Sequence, residues 1–142
     1  MKYTVSKIEA AADQLDWAIK LFLDYQAYVP AITLAGAAEE ILGEAVLNEA
    51  AFHKLKNILS EQTGLEEKVI SQEYLNKTKN WLKHWKNLKD DESLEIELEK
   101  EAMQYIARAM TNLATHDNSV TSETPRYYKW LIENKKDLMN GL

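Results

Sequence analysis

The stretch TKNWLKHWKN, Thr78 to Asn87, gathers the residue types in this chain that could carry chemistry. His84 stands between Trp81 and Trp85, Asn80 lies four residues before it, and Lys79, Lys83 and Lys86 surround the group. Histidine changes charge near neutral pH, as general acid–base catalysis requires. Lysines interleaved with aromatic rings also suit a nucleic-acid surface. A third reading is the edge of a helical core. Ile70, Tyr74, Trp81, Trp85 and Leu88 recur at three-, four- and seven-residue spacing, which predicts one helical seam. Asn80 and His84 then share a face beside that seam. Lys79 lies about 140° around a regular helix from His84, so the two converge only through the lysine's length, a helix break or a second chain.

Other titratable groups give weaker signals. Glu39 and Glu40 sit beside the side-chain-poor run Ala35-Gly36-Ala37-Ala38. Close packing there would bring one of them to a basic group of the helix holding the lysines, while a solvated face suits at least one of the pair. His53 reads as a structural histidine among Phe52, Leu55 and Lys56. His116 reads as a residue just past a helix end, where a cationic ring meets the negative end of the helix dipole. None of the three histidines follows a carboxylate by three residues, so the E-x-x-H pattern of di-metal bundles is missing and no metal or other cofactor is expected. H-E-x-x-H, phosphate-loop, dinucleotide and G-x-S-x-G motifs are absent as well.

The elements that must position these residues are helical. Alanine, leucine, glutamate and lysine dominate, and 4 glycines with 2 prolines leave little for the turns of a β protein. A length of 142 residues suits one domain, residues 1–142. The net charge of −6 gives no general attraction for nucleic acid, so any such contact needs a local basic patch. Without cysteine there is no disulfide, thiolate metal site or cysteine nucleophile. The N-terminal residues lack the apolar stretch of a signal peptide and no run suits a membrane span, so a cytoplasmic protein without membrane contact is expected.

Six helical segments are predicted. The first covers about Ser6 to Gln26, with a Ser6/Glu9 capping box and an apolar stripe of Ile8, Ala11, Ala12, Leu15, Ala18, Ile19 and Phe22. The second opens at Pro30, after a short Ala27-Tyr28-Val29 link that implies an antiparallel hairpin. Its small residues predict the tightest helix contact of the fold. The third covers about Glu49 to Gln62, capped by Asn48 and ended by Gly64. The fourth runs from about Glu66 to Trp85, before a polar break at Lys89-Asp90-Asp91. The fifth spans about Glu92 to Leu113. A last helix opens at Ser122 to Pro125 and carries Tyr127, Tyr128, Trp130, Leu131 and Leu138. The fold class is all-α: an up-and-down bundle of four main helices plus shorter ones.

Lys79-Asn80-Trp81-Leu82-Lys83-His84 resembles the motif of the HEPN domains, an arginine followed after four to six residues by histidine, often with asparagine directly after the arginine. It looks like the Arg-Asn-aromatic-aliphatic-Lys-His form of a group of small bacterial members. DQLDWAIKLFLDYQAYVPAITLAGAAEEILG, Asp13 to Gly43, is similar to the front hairpin of that group. The resemblance covers about the first two-thirds of the chain. It implies a HEPN-like bundle of four or five helices that forms a homodimer, with two motifs facing across a cleft and no metal required. It implies His84 as general acid/base on an RNA 2′-hydroxyl or leaving oxygen, Asn80 as a positioning group, and Lys79 in the arginine's role. Lys83, Lys86, Trp81, Trp85 and Glu40 would line the binding surface.

Two departures change the expectation. Lysine replaces the arginine, and an ammonium lacks the planar two-pronged fork of a guanidinium. Trp85 is bulkier than the small residue expected after the histidine. The first reading is therefore a degenerate or weak HEPN-like dimer that binds RNA, a nucleotide or a protein partner such as an antitoxin. The alternatives are an active metal-independent endoribonuclease of toxin or defence type using His84, and a plain helical interaction module.

Overall fold

The computed structural model describes residues 1–85 and 92–137, and every regular element among them is helical. These are α1 (Lys7–Tyr25), α2 (Tyr28–Val46), a 3-10 turn (Leu47–Glu49), α3 (Ala51–Thr63), a single turn α4 (Glu67–Val69), a π-helical turn (Ile70–Leu75), α5 (Lys77–Lys83), α6 (Leu98–Asp117) and α7 (Thr124–Asn134). None of the described helices is long and apolar enough to cross a membrane.

Helix α1 begins at the expected capping box. The Glu9 amide donates to Ser6 Oγ at 3.1 Å and the Ser6 amide donates to Glu9 Oε2 at 2.7 Å. It ends at Gln26, whose φ of 49° is left-handed and turns the chain directly into α2. Helix α2 starts two residues before Pro30. Proline costs nothing there, because the first-turn amides of a helix have no intrahelical acceptor.

The core is built mainly by α1, α2 and α6. From α1 come Ala11, Leu15, Ala18, Ile19 and Phe22, at most 2% exposed. Each large side chain among them contributes about 1.5–3 kcal/mol of burial. Helix α2 lies centrally and makes its most extensive contacts with α6 and α1. It therefore buries a second stripe, Ile32, Gly36 and Glu39, beside Ala31, Ala35, Ala38 and Leu42. Helix α7 closes the side of α1. The Glu123 amide and the Ser122 hydroxyl donate to Asp16, at 3.1 and 2.6 Å, so a carboxylate of α1 holds the start of α7. Tyr127 and Trp130 pack on Phe22, with centroids at 5.8 and 4.8 Å, while Tyr128 faces outward.

Three expectations are corrected. The third helix is not capped by Asn48: a 3-10 turn intervenes, and the buried Ala51 amide donates to Asn112 Oδ1 of α6 at 2.8 Å. Its predicted end at Gly64 matches, with φ 72°. The fifth helix begins at Leu98 rather than Glu92 and continues to Asp117, which puts His116 in its last turn. The fourth helix is not continuous. The Tyr105 hydroxyl of α6 enters its hydrogen-bond ladder, donating to the Leu75 carbonyl at 2.9 Å and accepting from the Lys79 amide at 3.3 Å. Leu75 and Lys79 are the i and i+4 partners of an ordinary helical bond, so the inserted hydroxyl opens the helix at Asn76. Just before it, the Asn76 amide reaches Ser71 O, five residues back, at 2.9 Å.

The π turn displaces the predicted seam. A π turn uses about one residue more than an α turn, which shifts by one the sequence positions that fall on the inward face downstream. The buried positions are Ile70, Leu75, Thr78 and Lys79, whereas Tyr74 and Trp85 are 58% and 64% exposed. Trp81 is half-buried. Leu88, the Lys89-Asp90-Asp91 break and Leu138 lie outside the described residues.

Candidate functional site

Gly36 is where the short helix α5 meets α2. A Cβ there would sit 2.7 Å from Lys79 Cδ, so the small residue makes room for a lysine stem rather than for a helix backbone. The stem carries the Lys79 ammonium to two carboxylates of α2, Glu40 Oε1 at 2.7 Å and Glu39 Oε2 at 3.5 Å. Lys79 is 3% and Glu39 4% exposed.

Arg108 of α6 completes the cluster. Its Nη2 donates to Glu39 Oε1 at 3.0 Å and to Asn76 Oδ1 at 3.0 Å, and its Nη1 donates to the Leu75 carbonyl at 2.9 Å. The guanidinium lies 4.9 Å from the Tyr105 ring centroid and 5.5 Å from that of Phe52. Asn112, one helical turn on, donates to the Glu39 carbonyl at 3.3 Å with the amide that also caps α3. Burial pushes the Tyr105 hydroxyl up to about 12, so it stays protonated and donates throughout the ordinary pH range. A buried charge is costly unless paired, and here each buried ionic group has an opposite partner.

Lys83 extends the cluster to the surface, 3.5 Å from Glu40 Oε2. Burial by itself would raise the Glu40 carboxyl, but Lys79 and Lys83 outweigh it and hold the group below its ordinary value. Helix α5 ends at Lys83. His84 is exposed, in extended backbone, with its amide on the Asn80 carbonyl at 3.1 Å. Asn80 and His84 therefore do not share a helical face: His84 has left the helix. Asn80 is exposed, Lys79 turns inward, and the three do not converge on one point within this chain. Lys86 lies outside the described residues.

A cleft of about 630 Å³ opens beside the cluster, with Glu39, Glu40, Phe52, His53 and Lys79 among its walls. His53, read as structural, is half-buried at its edge, and His116 is exposed. Among the described residues, no group of three or more His, Asp or Glu is placed to hold a metal ion.

Tyr105, Arg108 and Asn112 were not among the predicted site residues. Their signal is visible in hindsight: they fall at i, i+3 and i+7 inside the buried stripe of α6, where an arginine and an asparagine need partners. Comparison with known protein families, curated proteins and solved structures finds no match for this chain.

Proposed function

We propose that the chain is a HEPN-like helical protein that binds rather than cuts: a homodimer that holds RNA or a nucleotide on the surface around α5. The observation that carries the non-catalytic reading is the position of Lys79. Lys79 holds the motif arginine's place in the sequence, yet its ammonium is buried and shared by Glu39 and Glu40. A cation that keeps the buried Glu39 as its partner gives developing charge on a reacting phosphate less stabilisation than a free guanidinium fork would. The surface beside it supports binding: Lys83, the exposed His84 and the exposed Trp85 lie next to one another at the end of α5, and a ring with a neighbouring ammonium can stack on a base while pairing a phosphate.

The test combines three measurements on the full chain. Light scattering should give a dimer mass. A labelled single-stranded RNA should bind in a salt-dependent way and stay intact on incubation. Cleavage that persists in EDTA and disappears in His84→Ala would instead establish the ribonuclease. Neither binding nor cleavage would leave a plain helical interaction module, with a protein partner such as an antitoxin to be sought. A monomer would remove the shared cleft.

A further inference from the structure

Two lysines converge on one carboxylate that is half open to solvent. Glu40 Oε1 lies 2.7 Å from Lys79 Nζ and Glu40 Oε2 lies 3.5 Å from Lys83 Nζ. The Glu40 side chain is 51% exposed, against 4% for Lys79 and 29% for Lys83. Glu39 has a separate partner in Arg108. Three cations, Lys79, Lys83 and Arg108, thus pair directly with two carboxylates, Glu39 and Glu40, while Glu101 acts on Arg108 from further off.

Glu40 is the replaceable member of this set. Glu39 is buried between Lys79 and Arg108 and pairs with both, so none of these three can turn out to water without unbalancing a buried ion cluster. Glu40 can swing into water and stay solvated, and Lys79 keeps Glu39 when it does. The Lys83 contact is near the surface, where an ion pair contributes little. In place, the Glu40 carboxylate spans two ammonium groups with its two oxygens, as two oxygens of a phosphate would.

We propose that Lys79 and Lys83 form a phosphate-binding site that Glu40 of the same chain shields in the free protein. A phosphate enters by displacing the carboxylate: a phosphomonoester brings a larger charge and a third terminal oxygen, and a phosphodiester replaces the carboxylate with one charge on two oxygens. The inference rests on the reading that the surface around α5 binds RNA or a nucleotide, and it names the group that would be held and what regulates access.

The experiment measures binding of inorganic phosphate, AMP and a ten-nucleotide single-stranded RNA to the full chain, by calorimetry and fluorescence anisotropy at fixed salt. Glu40→Gln should bind phosphate-bearing ligands about tenfold tighter than wild type, the effect of about one charge-assisted hydrogen bond. Glu40→Ala, the second variant should the first not fold, should show the same gain. Adding Lys83→Gln should cancel it. Glu44→Gln makes the same change in net charge one turn further along α2 and should leave affinity unaltered.

Equal affinity of Glu40→Gln and wild type overturns the shielded site, as does a gain that survives Lys83→Gln or appears in Glu44→Gln. RNA binding by wild type without that gain leaves the functional reading standing and removes this inference. A gain on inorganic phosphate with no RNA or AMP binding by any variant keeps the site and removes the reading. AMP binding as tightly as RNA identifies a lone phosphate as sufficient; tighter RNA identifies the strand. Absence of binding by all proteins to all three ligands overturns both.

Discussion

Glu39 and Arg108, 69 residues apart in the chain, meet at 3.0 Å inside the protein with side chains 5% and 2% exposed. This pair ties α2 to α6, and through the Leu75 carbonyl and Asn76 it also anchors the broken segment before α5. Removing Arg108 leaves buried Glu39 with only the Lys79 ammonium, which Glu40 shares, and takes the donors from the Leu75 carbonyl and Asn76. Arg108→Leu should therefore destabilise the fold by about 3–5 kcal/mol. Urea denaturation followed by circular dichroism measures it. The double variant Glu39→Leu/Arg108→Leu should lose less than the sum of the single losses; strict additivity would mean the pair is not coupled.

Gly36 provides a test whose sign changes with background. Alanine in a helix interior is normally favoured over glycine by about 1 kcal/mol. Here the added Cβ would meet the buried Lys79 stem at 2.7 Å, and the stem is held by its ion pairs. Gly36→Ala should lower the melting temperature of the wild type. In a Lys79→Ala background the same change should raise it. The same sign in both backgrounds would show that the lysine stem yields freely.

Asn112 serves two elements with one amide: its Oδ1 accepts from the Ala51 amide at the start of α3 and its Nδ2 donates to the Glu39 carbonyl. Asn112→Ala strands the buried Ala51 amide, which costs about 1–3 kcal/mol; the Glu39 carbonyl, inside α2, keeps its place in the helical ladder. Hydrogen exchange at Ala51 should accelerate while exchange in the middle of α1 changes only with global stability. Unchanged protection at Ala51 would place the cap elsewhere.

Glu101 should weaken the protein at neutral pH. Burial raises its carboxyl above the ordinary value, although the Thr78 hydroxyl and Arg108 oppose that, and one of its oxygens is buried without a hydrogen-bond partner. An acid with a raised folded value binds its proton more tightly when folded. Its penalty is therefore fully present above the folded value and vanishes below the unfolded one. Glu101→Gln should stabilise the protein at pH 7, and the gain should shrink as pH falls through the carboxylate range. A gain that is constant with pH would point to packing rather than charge.

Much of the helical framework was legible because it rests on local chemistry. The Ser6/Glu9 box, the α1 stripe and the Gly64 stop each depend on neighbours in sequence, and each stands as read. The misreadings share a different origin. Asn48 lost its capping role to Asn112, and the Trp81/Trp85 seam gave way to Leu75 and Lys79 where the π turn and the Tyr105 hydroxyl of another helix interrupt the segment. Those partners lie 26 to 61 residues away, beyond the reach of periodicity. The meeting of Glu39 and Glu40 with a basic group of the fourth segment was foreseeable from the small residues of α2. That Glu39 would be buried and Glu40 half open was not, because it depends on α2 being covered on more than one side.

The wide turn at Ile70–Leu75 also bears on how such chains are to be aligned. It takes up one extra residue while keeping the downstream face toward α2 and α6. A relative one residue shorter here, with an unbroken α-helix, would present the same face. A gap-free alignment of the two would then slide by one position, pairing the ionic partner of Glu39 with Thr78 or Asn80. The insertion belongs inside this turn, and the column holding Lys79 is better anchored on Gly36 and Glu39 than on the tryptophans beside it.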